Sequence, residues 1–133
     1  MAKGRETHRE RLRQLSLFGK DLTRRSRSRC ELCGSSGERL SIYEIAPVPK
    51  APEFDRCLFL CAGCREPLDG KGSLAPERWR FLSEAIWSEV PAVQVMAARV
   101  LDALSRKERW AVDALEEACL EDEIVERVKE QPL

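Results

Sequence analysis

Histidine is almost missing from this sequence, the only one being His8. A chain with one imidazole cannot build the His-rich open metal sites of many hydrolases, and it lacks the group that most often serves as general base near neutral pH. Long apolar runs are missing too. Nothing approaches the roughly 18 apolar residues that a membrane span requires, so no membrane partner is expected. The opening MAKGRETHRERLRQ has no apolar h-region, so no secretory signal is expected, and its arginines give only a loose likeness to a transit peptide. Aromatic residues make up 6% of the chain. The expected location is therefore cytoplasmic, where thiols stay reduced and six cysteines are read first as metal ligands and core residues, before disulfides.

What is present is charge, at 35% of residues, and an apolar content of 43%, enough for a modest core. The net charge of zero hides a gradient: residues 1–29 carry ten Lys/Arg against three Asp/Glu, and residues 106–133 carry five against nine. The basic head includes TRRSRSR, which can track phosphates through the forked donors of arginine, although no aromatics are interleaved with it. A chain of 133 residues holds one domain or two very small ones, and domains that small need a staple beyond their hydrophobic core. Three segments are expected: a basic helical head over 1–28, a cysteine module over 29–69, and a helical region over 70–133.

In the head, Leu12, Leu15, Phe18 and Leu22 recur at helical spacing, with a break at Gly19. In the module, ERLSIYEIAP and CLFLC alternate as strands, and PVPKAPEFD between them is a loop whose three prolines should make it protrude. GKGS then leads into the tail. One helix should start at Pro76 and bury Trp79, Leu82 and Ile86, with an interruption at Ser88 to Pro91. A second should run from Pro91 to Leu104 with a stripe of Val93, Met96, Ala97, Val100, Leu101 and Leu104. A third carries Trp110, Ala114, Leu115 and Ala118, and EDEIVERVKE closes the chain as a short helix. The three tryptophans, including Trp87, fall on the apolar faces, with one alternative kept for Trp87: that it is exposed as an anchor for a partner.

Cys30 and Cys33 form one Cys-x-x-Cys turn, Cys61 and Cys64 another, and 27 residues separate the pairs. Two such turns complete a tetrahedron of thiolates, so a structural zinc ion is the expected cofactor. A thioredoxin-like redox pair would instead predict a single motif in a βαβ setting. Gly34 suits the tight turn after the first pair. Four thiolates leave no open position for water, so the site should fold the protein rather than catalyse. Cys57 is a competing ligand but reads better as a buried thiol, and Cys119 reads as a core residue of the tail.

The order CELCG, strand, loop, strand, CAGC resembles the treble-clef scaffold of His-Asn-His nucleases. That family carries a His-His pair at the end of the first strand, where this chain has Tyr43-Glu44, and a further histidine after the second cysteine pair, where it has Arg65 and Glu66. His8 lies outside the module in sequence. A second resemblance covers more of the chain. RSRSRCELCGSSGERLSIYEIAP, CLFLCAGC and ERWRFLSEAIWSEVPAVQVMAARVLDAL together resemble the proteobacterial PhnA-like proteins, small zinc-ribbon proteins named for an alkylphosphonate-utilisation operon. This resemblance implies zinc on Cys30, Cys33, Cys61 and Cys64 beside a helical region. A phosphonate-hydrolase activity does not carry over, because it needs His and Asp ligands around an open metal.

The expected fold class is thus α+β: a zinc-ribbon or treble-clef-like hairpin module preceded by a helix and followed by a bundle of short helices. The expected function is binding without catalysis, with nucleic acid at the basic head or a protein partner or second copy at the helical tail. An accessory or hydrolytic role in alkylphosphonate metabolism and a diverged nuclease scaffold stand as alternatives.

Overall fold

Apolar spacing in the head predicts one helix with a break, and two helices form. In a computed structural model, which describes residues 2–133 and side chains from Thr7 onward, they are α1 (Ala2–Ser16) and α2 (Gly19–Ser26). Leu15 and Leu22 are buried against Cys57, with Phe18, Ile42, Phe54 and Phe59 packed around them. The stripe is shorter than its spacing suggests, because Leu12 is 52% exposed. The chain leaves α2 through Arg27 and Ser28, both left-handed at φ 57° and 60°.

Strands β1 (Leu40–Glu44) and β2 (Cys57–Cys61) pair antiparallel, with Leu40 opposite Cys61 and Glu44 opposite Cys57. β2 is covered on both faces. Leu58 and Leu60 join the main core, while Cys57 and Phe59 meet the head helices. The proline-rich connection does not simply protrude. With few amide donors of their own, its residues leave carbonyls free, and Arg11 of α1 donates to the oxygens of Pro49 at 2.8 Å and Lys50 at 2.9 Å.

Helix α3 (Ala62–Leu68) follows β2 directly. The expected helix from Pro76 is two pieces: a 3-10 turn over Pro76–Trp79, then a single turn, α4 (Leu82–Ala85). α5 (Pro91–Leu104) begins at proline, where a missing amide hydrogen costs nothing. α6 (Arg109–Ala118) and α7 (Asp122–Glu130) complete the chain. All six residues of the stripe read for α5 are buried, and so are Ala92, Val95, Ala98 and Arg99, which makes α5 the axis of the molecule. One hydrophobic core runs from Cys30, Ile45, Leu58 and Leu60 through Trp79, Leu82 and Ile86 to α5, Ala111 and Ile124.

Arg99 is the one buried charged residue of this core among the described residues, at 2% exposed. Its guanidinium donates to the carbonyls of Ala46, Arg127 (2.6 Å) and Val128 (3.4 Å), so one side chain ties α5 to the hairpin loop and to the last turn of α7. Burial, with a smaller push from Arg127 and Arg56, moves its pKa down. The carbonyl ring, rather than a carboxylate, is what satisfies the cation. Arg99→Met keeps much of the stem but strands these acceptors. It should cost about 2 to 3 kcal/mol, read as a lower urea midpoint at unchanged slope.

Candidate metal centre

The first cysteine pair sits in a turn closed by two backbone hydrogen bonds, Gly34 N–H to Cys30 O at 2.9 Å and Cys30 N–H to Ser35 O at 3.0 Å. Gly34 takes φ 77°, a left-handed value that a side chain would resist. Cys61 ends β2 and caps α3, and Cys64 lies in the first turn of that helix. Strand register then does the rest. Pairing Leu40 with Cys61 brings the start of α3 to the same end of the hairpin as the knuckle.

The sulfurs of Cys30, Cys33, Cys61 and Cys64 all lie within 4.8 Å of one another, and Cys33 and Cys61 Sγ are 3.7 Å apart. A tetrahedral zinc thiolate site, with Zn–S near 2.3 Å, sets S···S at about 3.8 Å. The residues therefore fit a metal ion of that kind. Three of the four are buried and Cys33 is partly exposed. The neighbouring sulfur holds Cys30 well below the usual thiol range and its partner Cys64 far above it, and burial raises Cys61. Thiolates packed this closely repel one another, a repulsion that a dication among them relieves.

Two supporting groups escaped the sequence analysis. Glu31, inside CELC, is 3% exposed at its side chain and pairs with Arg25 through two 2.8 Å hydrogen bonds. It also accepts from Phe59 N–H at 2.9 Å, and Arg25 reaches Cys57 O at 2.8 Å. The knuckle is thereby fastened to β2 and to α2. The second group is Arg78, whose Nη2 stands 4.0 Å from Cys64 Sγ. A Cβ at Gly63 would come within 2.4 Å of that nitrogen, so the glycine leaves room for the cation to pass over α3.

Cys57 stays out of the cluster. Its thiol donates to Glu53 O at 3.3 Å, and burial pushes its pKa up to about 11. Cys119 corrects the expectation of a core residue: it is exposed, in the left-handed position that ends α6 at φ 46°. Metal-loaded protein should accordingly show one fast thiol towards an alkylating reagent, at Cys119, with Cys57 unreactive near neutral pH. Peptide mapping after brief labelling checks this. Fast labelling of Cys57 would contradict the burial.

The positions that carry histidines in His-Asn-His nucleases are also on view. Glu44 is held by Arg11 at 2.6 and 2.8 Å, so its carboxylate is engaged. Arg65 lies over the Tyr43 ring and donates to Ser41 Oγ, Ile42 O and Asp69. His8, distant in sequence, nevertheless lines the same cleft as Tyr43, Glu44, Arg65 and Asp69. The cleft thus holds an imidazole that spacing alone placed elsewhere, while its Glu44 carboxylate is paired with Arg11.

Comparison with protein families, with curated proteins and with solved structures found no match for the chain. The likeness to PhnA-like proteins therefore rests on the motifs quoted above. The site itself combines a cysteine knuckle, a two-stranded ribbon that ends at Cys61 and a helix whose first turn carries Cys64.

Proposed function

We propose that this chain is a non-enzymatic protein in which a structural zinc ion on Cys30, Cys33, Cys61 and Cys64 holds a nucleic-acid-binding surface in shape. The observation that carries the reading is the exit of α2. Arg24, Arg27 and Arg29 are exposed there and have no carboxylate partner among the described residues, while Arg25 between them is consumed by Glu31 and fixes the turn to the knuckle. A basic edge anchored on a metal module is suited to phosphates. Binding of a labelled oligonucleotide should fall steeply as salt rises, and salt-indifferent binding, or none, would defeat the reading.

Catalysis is not part of this proposal. Four thiolates fill the usual shell of zinc, and Glu44 is tied to Arg11. Added magnesium, manganese or nickel should give no cleavage of DNA or RNA. Cleavage that disappears in Glu44→Ala would overturn that.

A protein partner or a second copy has one observation in its favour. Between α5, α6 and α7 lies an apolar groove of about 300 Å³ lined by Ala98, Leu115, Leu120, Val125 and Val128. An apolar interface there would be nearly indifferent to salt, which separates the two readings in the same titration.

A further inference from the structure

The basic stretch TRRSRSR has no aromatic residue within it, but the segment that follows Trp87 lines a groove together with the last residues of that stretch. Ser88 and Val90, from the break between α4 and α5, share a groove of about 210 Å³ with Ser26 and Arg29 at the exit of α2 and with Gly34 of the knuckle. Trp87 immediately precedes Ser88 and is 60% exposed. Its outward position follows from local geometry. α4 is one turn long, Ile86 takes the core side at 1% exposed, and the next side chain is thrown into solvent. The chain is fixed there, because Trp87 N–H binds Glu84 O at 3.0 Å and Gln94 Nε2 binds Ile86 O at 3.0 Å.

Opposite stands the turn that carries Arg27 and Ser28 at φ 57° and 60°. Two successive residues other than glycine in this region are costly, and they persist only where the surroundings impose them. Here Ser28 N–H to Thr23 O at 3.0 Å and the pairing of Arg29 with Ser36 hold the turn. The result is a hydrogen-bonded turn with Arg24, Arg27 and Arg29 exposed, across the groove from the segment that starts directly after the exposed Trp87.

We propose that this edge binds single-stranded nucleic acid, with an unpaired base stacked on Trp87 and the neighbouring phosphates held by Arg29, Arg27 and Arg24. An indole can stack only on a base freed from its duplex, and stacking of this kind is tolerant of sequence. Glu84 and Glu89 flank Trp87 in the chain and repel phosphate from the indole itself, so the phosphates fall on the arginine side. This inference rests on the nucleic-acid reading above and adds the strandedness and the residues.

Fluorescence anisotropy with a labelled oligothymidylate and with its duplex tests both. The full chain should prefer the single strand, and binding should quench tryptophan fluorescence. Trp87→Ala should weaken the single-strand complex about 10-fold to 100-fold, while Trp87→Phe retains most of the affinity. The combined Arg27→Ala and Arg29→Ala change should reduce the salt slope by about 1.4. An unchanged melting temperature in Trp87→Ala excludes misfolding as the cause. If Trp87→Ala binds both probes as the parent does and only the arginine changes weaken them, this inference fails and the nucleic-acid reading stands. If the parent binds neither probe, both fail. Self-association in sedimentation that Trp87→Ala abolishes, without an effect on the oligonucleotide, would overturn it in favour of an interface between copies.

Discussion

Cys33→Ser should yield protein without metal and without a folded hairpin. The knuckle meets the start of α3 through its sulfurs, with Cys33 and Cys61 3.7 Å apart, and a cation shared among them is what would hold four thiolates that close. The same residues belong to the main core, in which Cys30, Leu32, Cys61 and Cys64 pack with Trp79 and α5, so loss of the metal reaches the tail. A structural zinc supplies on the order of 10 kcal/mol of folding free energy in small peptides. That matches or exceeds the whole stability of many domains. Parent protein should carry one zinc ion per chain by elemental analysis, and Cys57→Ser should keep it. Stoichiometric zinc in Cys33→Ser, or none in the parent, would refute the assignment.

Trp79→Ala should cost roughly 3 to 5 kcal/mol, the usual range for emptying a buried aromatic site. Trp79 is completely buried, with the Phe81 ring 5.5 Å away, and it sits where the 3-10 turn hands the chain to α4. Leu82 and Ile86 are themselves fully enclosed and cannot readily move into the space. Trp87→Ala should leave the urea midpoint almost unchanged, since a residue 60% exposed gives up little on truncation. Trp110 falls between. Its Nε1 is buried with no hydrogen-bond partner among the described residues, so Trp110→Phe removes an unsatisfied donor and should be close to neutral. Equal losses at all three positions would mean that burial does not govern them.

The cysteine cluster was legible because two turns of fixed spacing need no long-range knowledge, and α5 was legible because its stripe repeats over 14 residues. Short elements were not. α3, with seven residues and an internal Pro67, carries too little periodicity to distinguish from a loop. The apolar-face reading of Trp87 gives way to its exposed alternative, because a one-turn helix buries Ile86 and exposes the next side chain. Cys119 fell just past the last turn of α6, where the left-handed residue that ends the helix leaves the packed face. Arg99 and Glu31 were hidden for a different reason. Their partners are separated by 53 and 28 residues in the chain, and a charge inside an apolar stripe or a cysteine motif shows its purpose only when those partners arrive.

The ties of Arg99 also set an order of assembly during synthesis. Its acceptors lie on both sides of it in the chain, at Ala46 and at Arg127 and Val128. Arg127 is made 28 residues after Arg99, an interval of roughly one to six seconds at 5 to 20 residues per second. Until then the guanidinium lacks two of its three acceptors, so burying it with α5 is costly before α7 arrives. All four clustered cysteines precede Arg99, so a metal ion can be seated in the knuckle while the nascent tail is still open. The last turn of α7 then locks a module already in place.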